Sequence, residues 1–343
     1  MRVRRSLAPQ IVKRLPVLRT VGELSRWLGV SPRELTWLCD FSRSGKHYRC
    51  HWVKKRSSGW RLLESPKPKL KIVQKQILSE ILNLIPAHPL ACGFCPGKNI
   101  LDFAQPHHDR EVCLKMDLRD FFHHVRTGRV CGLFRTAGYG RSVSHYLAML
   151  TTTQVGIESV KQHHPDFLGT KNPISKLLRF RRLPQGAPTS PAIANHCAFR
   201  MDVRLAALAR QFEGVHFTRY ADDLLFSGGR RFVKSVNRFQ ITVGSIAIEE
   251  GFDINFRKTR IMKKHQRQKA GGVVLNRKLN FDRRDFDRLK AILTNCVRDG
   301  LESQNREQHP HFREHLMGRI QWVELLNRQR GFKLREIFDR IDK

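Results

Sequence analysis

The stretch Phe217–Gly229, FTRYADDLLFSGG, decides how this chain is read. Two strand-like runs, VHFTRY and LLFSG, flank Ala221-Asp222-Asp223, a connection short enough for a hairpin turn. Such a turn sets two neighbouring carboxylates at one end of a sheet, where each makes the other harder to ionise. A third carboxylate, Asp117, ends the strand-like run EVCLKMD. If that strand lies beside the hairpin, three carboxylates converge, and the cluster needs a cation to be tolerable. Oxygen ligands favour Mg2+, which takes one or two carboxylates together with substrate phosphates. Two such ions about 3.5–4 Å apart would activate an attacking hydroxyl and stabilise the leaving oxygen in phosphoryl transfer. Taken alone, the Asp222-Asp223 pair also reads as a plain polar turn. Asp120 stands where a helix is expected to begin, and capping suits it better than metal binding.

Charge supplies the second argument. The chain has 343 residues, with 64 Lys plus Arg against 30 Asp plus Glu, a formal net charge of +34. An excess of that size repels itself unless a polyanion is present, which favours nucleic acid over a merely solvated surface. The excess is spread along the chain, as in RFRR (Arg179–Arg182) and RKTRIMKKHQRQK (Arg257–Lys269), suggesting a channel rather than a tail. No apolar run approaches a membrane span. The basic start, MRVRRSLAPQIVKRLP, lacks the apolar core of a secretory signal, although transit peptides share its composition. Of the eight cysteines, Cys92 and Cys95 alone show a C-x-x-C spacing, and no second pair completes a zinc site. Free thiols in a reducing cytoplasm are the favoured reading, with a metal or redox role as the alternative.

The remaining chain reads as a mixture of elements. Thr20 with Glu23, and Ser31 with Glu34, fit the capping box, so TVGELSRWLGVSPRELTWL is expected to form two short helices. Alternation on either side of KRSSG predicts a hairpin, and a helix is expected over 70–84. From Phe232, apolar residues at steps of four and three mark a helix that stops at Gly251. FDINF and GGVVLN read as strands, and the chain is helical from about Arg284. The order predicts an α+β protein with a mainly antiparallel sheet.

YADD within RYADDLLFSG, KMDLRDFF and LPQGAPTSPAIAN together resemble, in order, the palm motifs of reverse transcriptases, and most nearly the retron-type bacterial branch. The resemblance runs from about Tyr48 to Lys343. It implies a right-hand polymerase fold: a helical extension over 1–45, fingers over 46–110, a palm over 111–265 with an inserted fingers segment (about 125–180), and a primer grip with helical thumb over 266–343. It implies that Asp117, Asp222 and Asp223 are the catalytic carboxylates and that Leu118 lends its main-chain carbonyl to a metal. KKRSSGWR resembles the fingers hairpin that grips the incoming triphosphate, making Lys54 and Arg61 candidate phosphate ligands; a solvated hairpin is the alternative. Phe122 resembles the aromatic gate against a ribose 2′-OH, with core packing as its competitor. Gln185 resembles the residue beside the incoming nucleotide. Tyr220 and Ala221 would line the primer terminus, and Gly271 and Gly272 fall in the primer grip. Lys258 resembles a lysine near the departing pyrophosphate, a general acid, or is a template contact. Some branch-specific letters differ: DFAQPH keeps His107 but has Asp102 and Phe103 in place of an Asn-Ala pair, AGG replaces Val-Thr-Gly, and FFHHV replaces a Pro-Ser pair.

The resemblance therefore implies an RNA-directed DNA polymerase that copies a structured noncoding RNA. Two Mg2+ ions, replaceable by Mn2+, are its cofactors. Its partners would be that RNA, the RNA–DNA hybrid, dNTPs and an effector protein in antiphage defence, with no membrane. The expected chain is a compact polymerase without a ribonuclease H or endonuclease domain. The alternatives are a degenerate polymerase fold that only packages RNA, and a group II intron-like branch.

Overall fold

Two capped helices open the described chain in the computed structural model, which covers residues 14–40, 45–54, 60–155 and 178–341. α1 (Val21–Trp27) starts at Thr20, whose hydroxyl accepts the Glu23 N–H at 3.1 Å; α2 (Pro32–Cys39) starts at Ser31. At Ser31 the capping box is complete, each partner's side chain taking the other's N–H. At Thr20 it is half made, because the Glu23 carboxylate takes the Arg19 N–H instead. Leu24, Leu28, Leu35 and Leu38 enter the same core as the central sheet, so both helices are packed into the body of the protein.

The hairpin read around KRSSG is β1 (Tyr48–Lys54) and β2 (Trp60–Pro66), with Val53 opposite Arg61; its turn lies outside the described residues. α3 (Pro68–Glu80) and a single 3-10 turn, Leu82–Leu84, fill the helix expected over 70–84. α4 (Ile100–Ala104) follows, capped by Asn99.

The strands of the central sheet all pair antiparallel, and one isolated parallel bridge joins Ala91 to Arg219 at its edge. β3 (Val112–Arg119) is its middle strand, flanked on one side by the hairpin β4 (His216–Tyr220) and β5 (Asp223–Gly228). On its other side, β6 (Asp253–Ile254) pairs its end and β7 (Arg260–Lys263) its beginning. Period-two alternation sorts β3 into two faces. Val112, Leu114, Met116 and Leu118 enter the main core, while Cys113, Lys115 and Asp117 face the other way. The main core forms under α5 (Thr127–Thr136), α6 (Arg141–Thr151), α7 (Ser190–Arg210) and α8 (Arg230–Glu249). Phe217 stacks on Phe226 at 4.7 Å there, and Phe239 meets Phe226 and Phe232 edge-on at 5.0 Å. The opposite face is covered in part by Phe103, Ala104, Val273 and Leu275 packed on Cys113 and Leu225. Beyond that cover the sheet carries Lys115, Asp117 and Asp223.

β8 (Lys269–Ala270) and β9 (Val273–Val274) form a small separate hairpin. α9 (Arg283–Asp299), α10 (Phe312–Leu326) and α11 (Arg328–Phe338) build their own core from Leu289, Leu293, Cys296, Leu316, Ile320, Val323, Leu334 and Phe338. Among the described residues no helix is long and apolar enough to cross a membrane.

Three local expectations need correction. β3 continues two residues past Asp117, because Leu118 and Arg119 find partners in Ile254 and Asp253. No helix starts near Asp120: its φ is +46°, and its carbonyl accepts the His123 N–H at 2.8 Å in a turn. α5 begins only at Thr127 after Arg126, so Asp120 caps nothing. FDINF is strand only at Asp253–Ile254 and then folds into a 3-10 turn, Phe256–Lys258, since β7 must come round to pair the start of β3.

Candidate active site

The ladder register brings the carboxylates together. Asp223 is the first residue of β5, opposite Tyr220 in β4 and opposite Asp117 in β3. The two-residue connection is therefore Ala221-Asp222, one shorter than the three letters suggested. Ala221 takes a left-handed conformation, φ +56°, which a small side chain tolerates better than a branched one. The Asp222 carbonyl accepts the Leu118 N–H at 2.8 Å, which ties the turn back to β3. Three carboxyl-bearing residues on three segments thus meet at one end of the sheet, on its open face.

Two lysines stand against this charge. Lys258 Nζ lies 3.0 and 3.2 Å from the Asp117 oxygens. It arrives there through the 3-10 turn, which is pinned by the Asn255 N–H on the Asp117 carbonyl at 2.8 Å. Lys115 Nζ lies 2.9 Å from Asp223. Lys115 was missed, although its position two residues before Asp117 on a strand already puts it on the same face. Asp222 makes no ion pair among the described residues. Burial, and then the charges of Asp223 and Asp117, push its carboxyl up to about 6. Burial also raises Asp223, opposed by Lys115.

The donor set is all oxygen and keeps a surplus negative charge, which suits a hard divalent cation. As the side chains stand, no three His, Cys, Asp or Glu among the described residues converge on one metal position. Asp117 and Asp223 are each turned toward a lysine, so metal binding would require those ion pairs to open. Cys92 and Cys95 have no third ligand nearby, and burial raises both thiols.

The other sequence candidates fall into two groups. Those close to the carboxylates are Leu118, whose side chain is buried in the main core, and Phe122, half-buried against that core with its ring 5.7 Å from Phe121. Phe121, the fully packed neighbour, meets Phe252 at 5.4 Å. Tyr220 packs against Phe103 at 5.7 Å. Those reached only through other elements are Lys54, Arg61, Gln185, Gly271 and Gly272. Lys54 and Arg61 lie at the exposed end of the β1–β2 hairpin. The Gln185 carbonyl accepts the Glu64 N–H of β2 at 2.7 Å. Gly186, φ +131°, is needed there because a Cβ would sit 3.1 Å from the Glu64 carbonyl oxygen. Gly271 and Gly272 form the β8–β9 turn at φ +56° and +85°; a Cβ on the first would come within 2.6 Å of Ile100.

Two buried arginines hold the site's frame and went unread in the sequence. Arg219, inside the opening stretch, grips both oxygens of Asp202 at 2.7 and 2.6 Å. The same guanidinium donates to Asn195 Oδ1 and to the Ala221 carbonyl, both at 2.9 Å. Arg182 pairs with Glu64 at 3.1 Å, linking the hairpin to the segment that leads into Gln185. Under the Phe103 cover, the buried His107 bridges Thr218 Oγ1 of β4 at 2.9 Å and Ser227 Oγ of β5 at 2.7 Å.

Comparison with known proteins is consistent with this geometry. The family profile of reverse transcriptase (RNA-dependent DNA polymerase) matches residues 53–275. The retron Mx65 reverse transcriptase of Myxococcus xanthus is 38% identical over 335 residues, covering 93% of this chain and 71% of that one. The retron Mx162 reverse transcriptase of the same organism is 36% identical, covering 76% of this chain and 54% of that one. The retron Ec86 reverse transcriptase of Escherichia coli is 29% identical, covering 81% and 78%.

Proposed function

Since the chain belongs to the reverse transcriptases of the retron type, RNA-directed DNA polymerases, we propose that it copies a structured noncoding RNA into DNA by two-metal nucleotidyl transfer. The primer 3′-hydroxyl, or a 2′-hydroxyl of the RNA itself at initiation, attacks the α-phosphorus of a bound dNTP. A new P–O bond forms, the bond to the bridging oxygen breaks, and pyrophosphate leaves. The observation that carries the reading is the register that sets Asp117 opposite Asp223 with Asp222 in the adjoining turn.

Asp117 and Asp222, with the Leu118 carbonyl and support from Asp223, are the residues that would hold divalent ions. Two Mg2+, or Mn2+ in their place, would supply an activated hydroxyl and charge neutralisation. Lys258, released from Asp117, protonates the departing pyrophosphate in this reading. Lys54 and Arg61 neutralise the triphosphate, for which the Arg fork is suited. Phe122 lies under the sugar and excludes a 2′-hydroxyl by steric clash. Gln185 packs beside the incoming nucleotide, Tyr220 and Ala221 beside the primer end, and Gly271-Gly272 in the primer grip.

In this reading residues 1–45 are an N-terminal extension and 46–110 the fingers. Residues 111–265 are the palm, with an inserted segment at about 125–180, and 266–343 the primer grip and thumb. The protein acts in the cytoplasm, in antiphage defence, with an effector protein as partner. Nucleic acid extracted from the purified protein tests this: the expected species is RNA joined to DNA complementary to part of it. Extracted RNA with no DNA attached, from cells able to supply dNTPs, would instead mark a packaging protein.

A further inference from the structure

Phe94 breaks two ordinary rules at once. The residue is 48% exposed, and its backbone sits at φ +59°, a region bulky residues rarely enter. A lone exposed phenylalanine needs no explanation. A strained one persists only where its surroundings over-determine it.

The surroundings here are specific. The carbonyl of Gly93 accepts from Asn195 Nδ2 at 2.7 Å, and Asn195 is itself held by Arg219 at 2.9 Å. That guanidinium also holds the Ala221 carbonyl, so the loop carrying Phe94 and the carboxylate turn hang from one buried cation. Gly93 lies flat on that turn: a Cβ would be 2.6 Å from the Ala221 nitrogen. The Phe94 ring stands 6.2 Å from Phe122 and 6.5 Å from Tyr220. Unlike those two rings, which are half-buried, it is exposed.

We propose that Phe94 is an apolar platform for the nascent base pair, contacting the primer-terminal and incoming nucleotides between Tyr220 and Phe122 and thereby setting nucleotide affinity and discrimination. The proposal rests on the reading of the carboxylates as the polymerisation centre. An aromatic face tolerates every base, because each base offers a π-face, so such a contact senses pair shape rather than sequence. Fixing the ring through Arg219 keeps it in register with the turn that carries Asp222.

Single-nucleotide incorporation on an RNA template tests it, with wild type, Phe94→Ala, Phe94→Trp and Asp222→Asn compared. Phe94→Ala is expected to raise the dNTP KM about tenfold and to erode preference for matched over mismatched primer ends similarly, within the range seen when base-stacking aromatics are truncated. Phe94→Trp should restore both to within about twofold, since it keeps an aromatic face. The Mg2+ midpoint and the thermal midpoint should not move. Unchanged KM and discrimination in Phe94→Ala, with Asp222→Asn inactive, would overturn the platform and leave the polymerisation centre standing. A loss in Phe94→Ala that tracks a lower thermal midpoint and is not rescued by Trp would also overturn it. Wild-type rates in Asp222→Asn would overturn the site assignment, and the platform with it.

Discussion

Removing one negative charge from the carboxylate cluster should stabilise the metal-free protein while destroying its chemistry. Asp222→Asn is the perturbation, because Asn keeps the shape of a neutral carboxyl. The Asp222 carboxyl is raised from 3.8 to about 6 by burial and by its two acidic neighbours. A tenfold change in proton affinity is worth ~1.4 kcal/mol, which sets a ceiling of about 3 kcal/mol on the cost of ionising this group in the folded state. The side chain is only partly covered, so solvent screening lowers the expected value to about 1–3 kcal/mol. The sign follows from proton linkage. The folded state holds the Asp222 proton more tightly than the unfolded chain does, so wild-type stability falls as pH rises from about 4 to about 6. Above that window the cost is complete; below about 4 it vanishes. Urea unfolding in EDTA at pH 7 should therefore show the variant more stable, with the gap closing by pH 4. Mg2+ should stabilise wild type and leave the variant unmoved, since only an ion bound to the native state shifts the balance. A variant that is less stable at pH 7 in EDTA, or a gap independent of pH, would rule out this electrostatic origin.

Three further outcomes are expected. Phe122→Ala should admit ribonucleotides in a primer-extension assay with mixed substrates; unchanged dNTP selectivity would return Phe122 to the core. Asp202→Ala leaves the Arg219 guanidinium buried without its carboxylate and should cost about 3–5 kcal/mol in unfolding free energy, whereas a paired Asp202→Leu, Arg219→Met change should cost far less. RNA affinity should fall steeply between low and moderate salt, because phosphate contacts release counterions; a flat titration would contradict a long basic channel.

The parts of the fold that follow local periodicity could be read from the letters. The alternation in VCLKMDL and the short YADDLL connection dictate adjacent antiparallel strands, and Lys115 could have been placed beside Asp117 by the same period-two rule. Long-range pairing left no such trace. Arg219 and Arg182 look like two more members of a basic surface, because their partners, Asp202 and Glu64, are distant in sequence. The 3-10 turn at Phe256–Lys258 was hidden for a related reason: FDINF alternates like a strand, and it ends early because the chain must turn for β7 to reach the start of β3. Strain at Phe94 has no sequence signature at all, since nothing in GFC marks a positive φ on the aromatic residue.

Primer extension with purified wild type and Asp222→Ala, on an RNA template with dNTPs and Mg2+, puts the carboxylate cluster to the test as a polymerisation centre. DNA synthesis by wild type and none by Asp222→Ala is expected, with RNA binding equal in the two. Extension by Asp222→Ala at the wild-type rate, or RNA binding without any extension by wild type, would disprove that assignment.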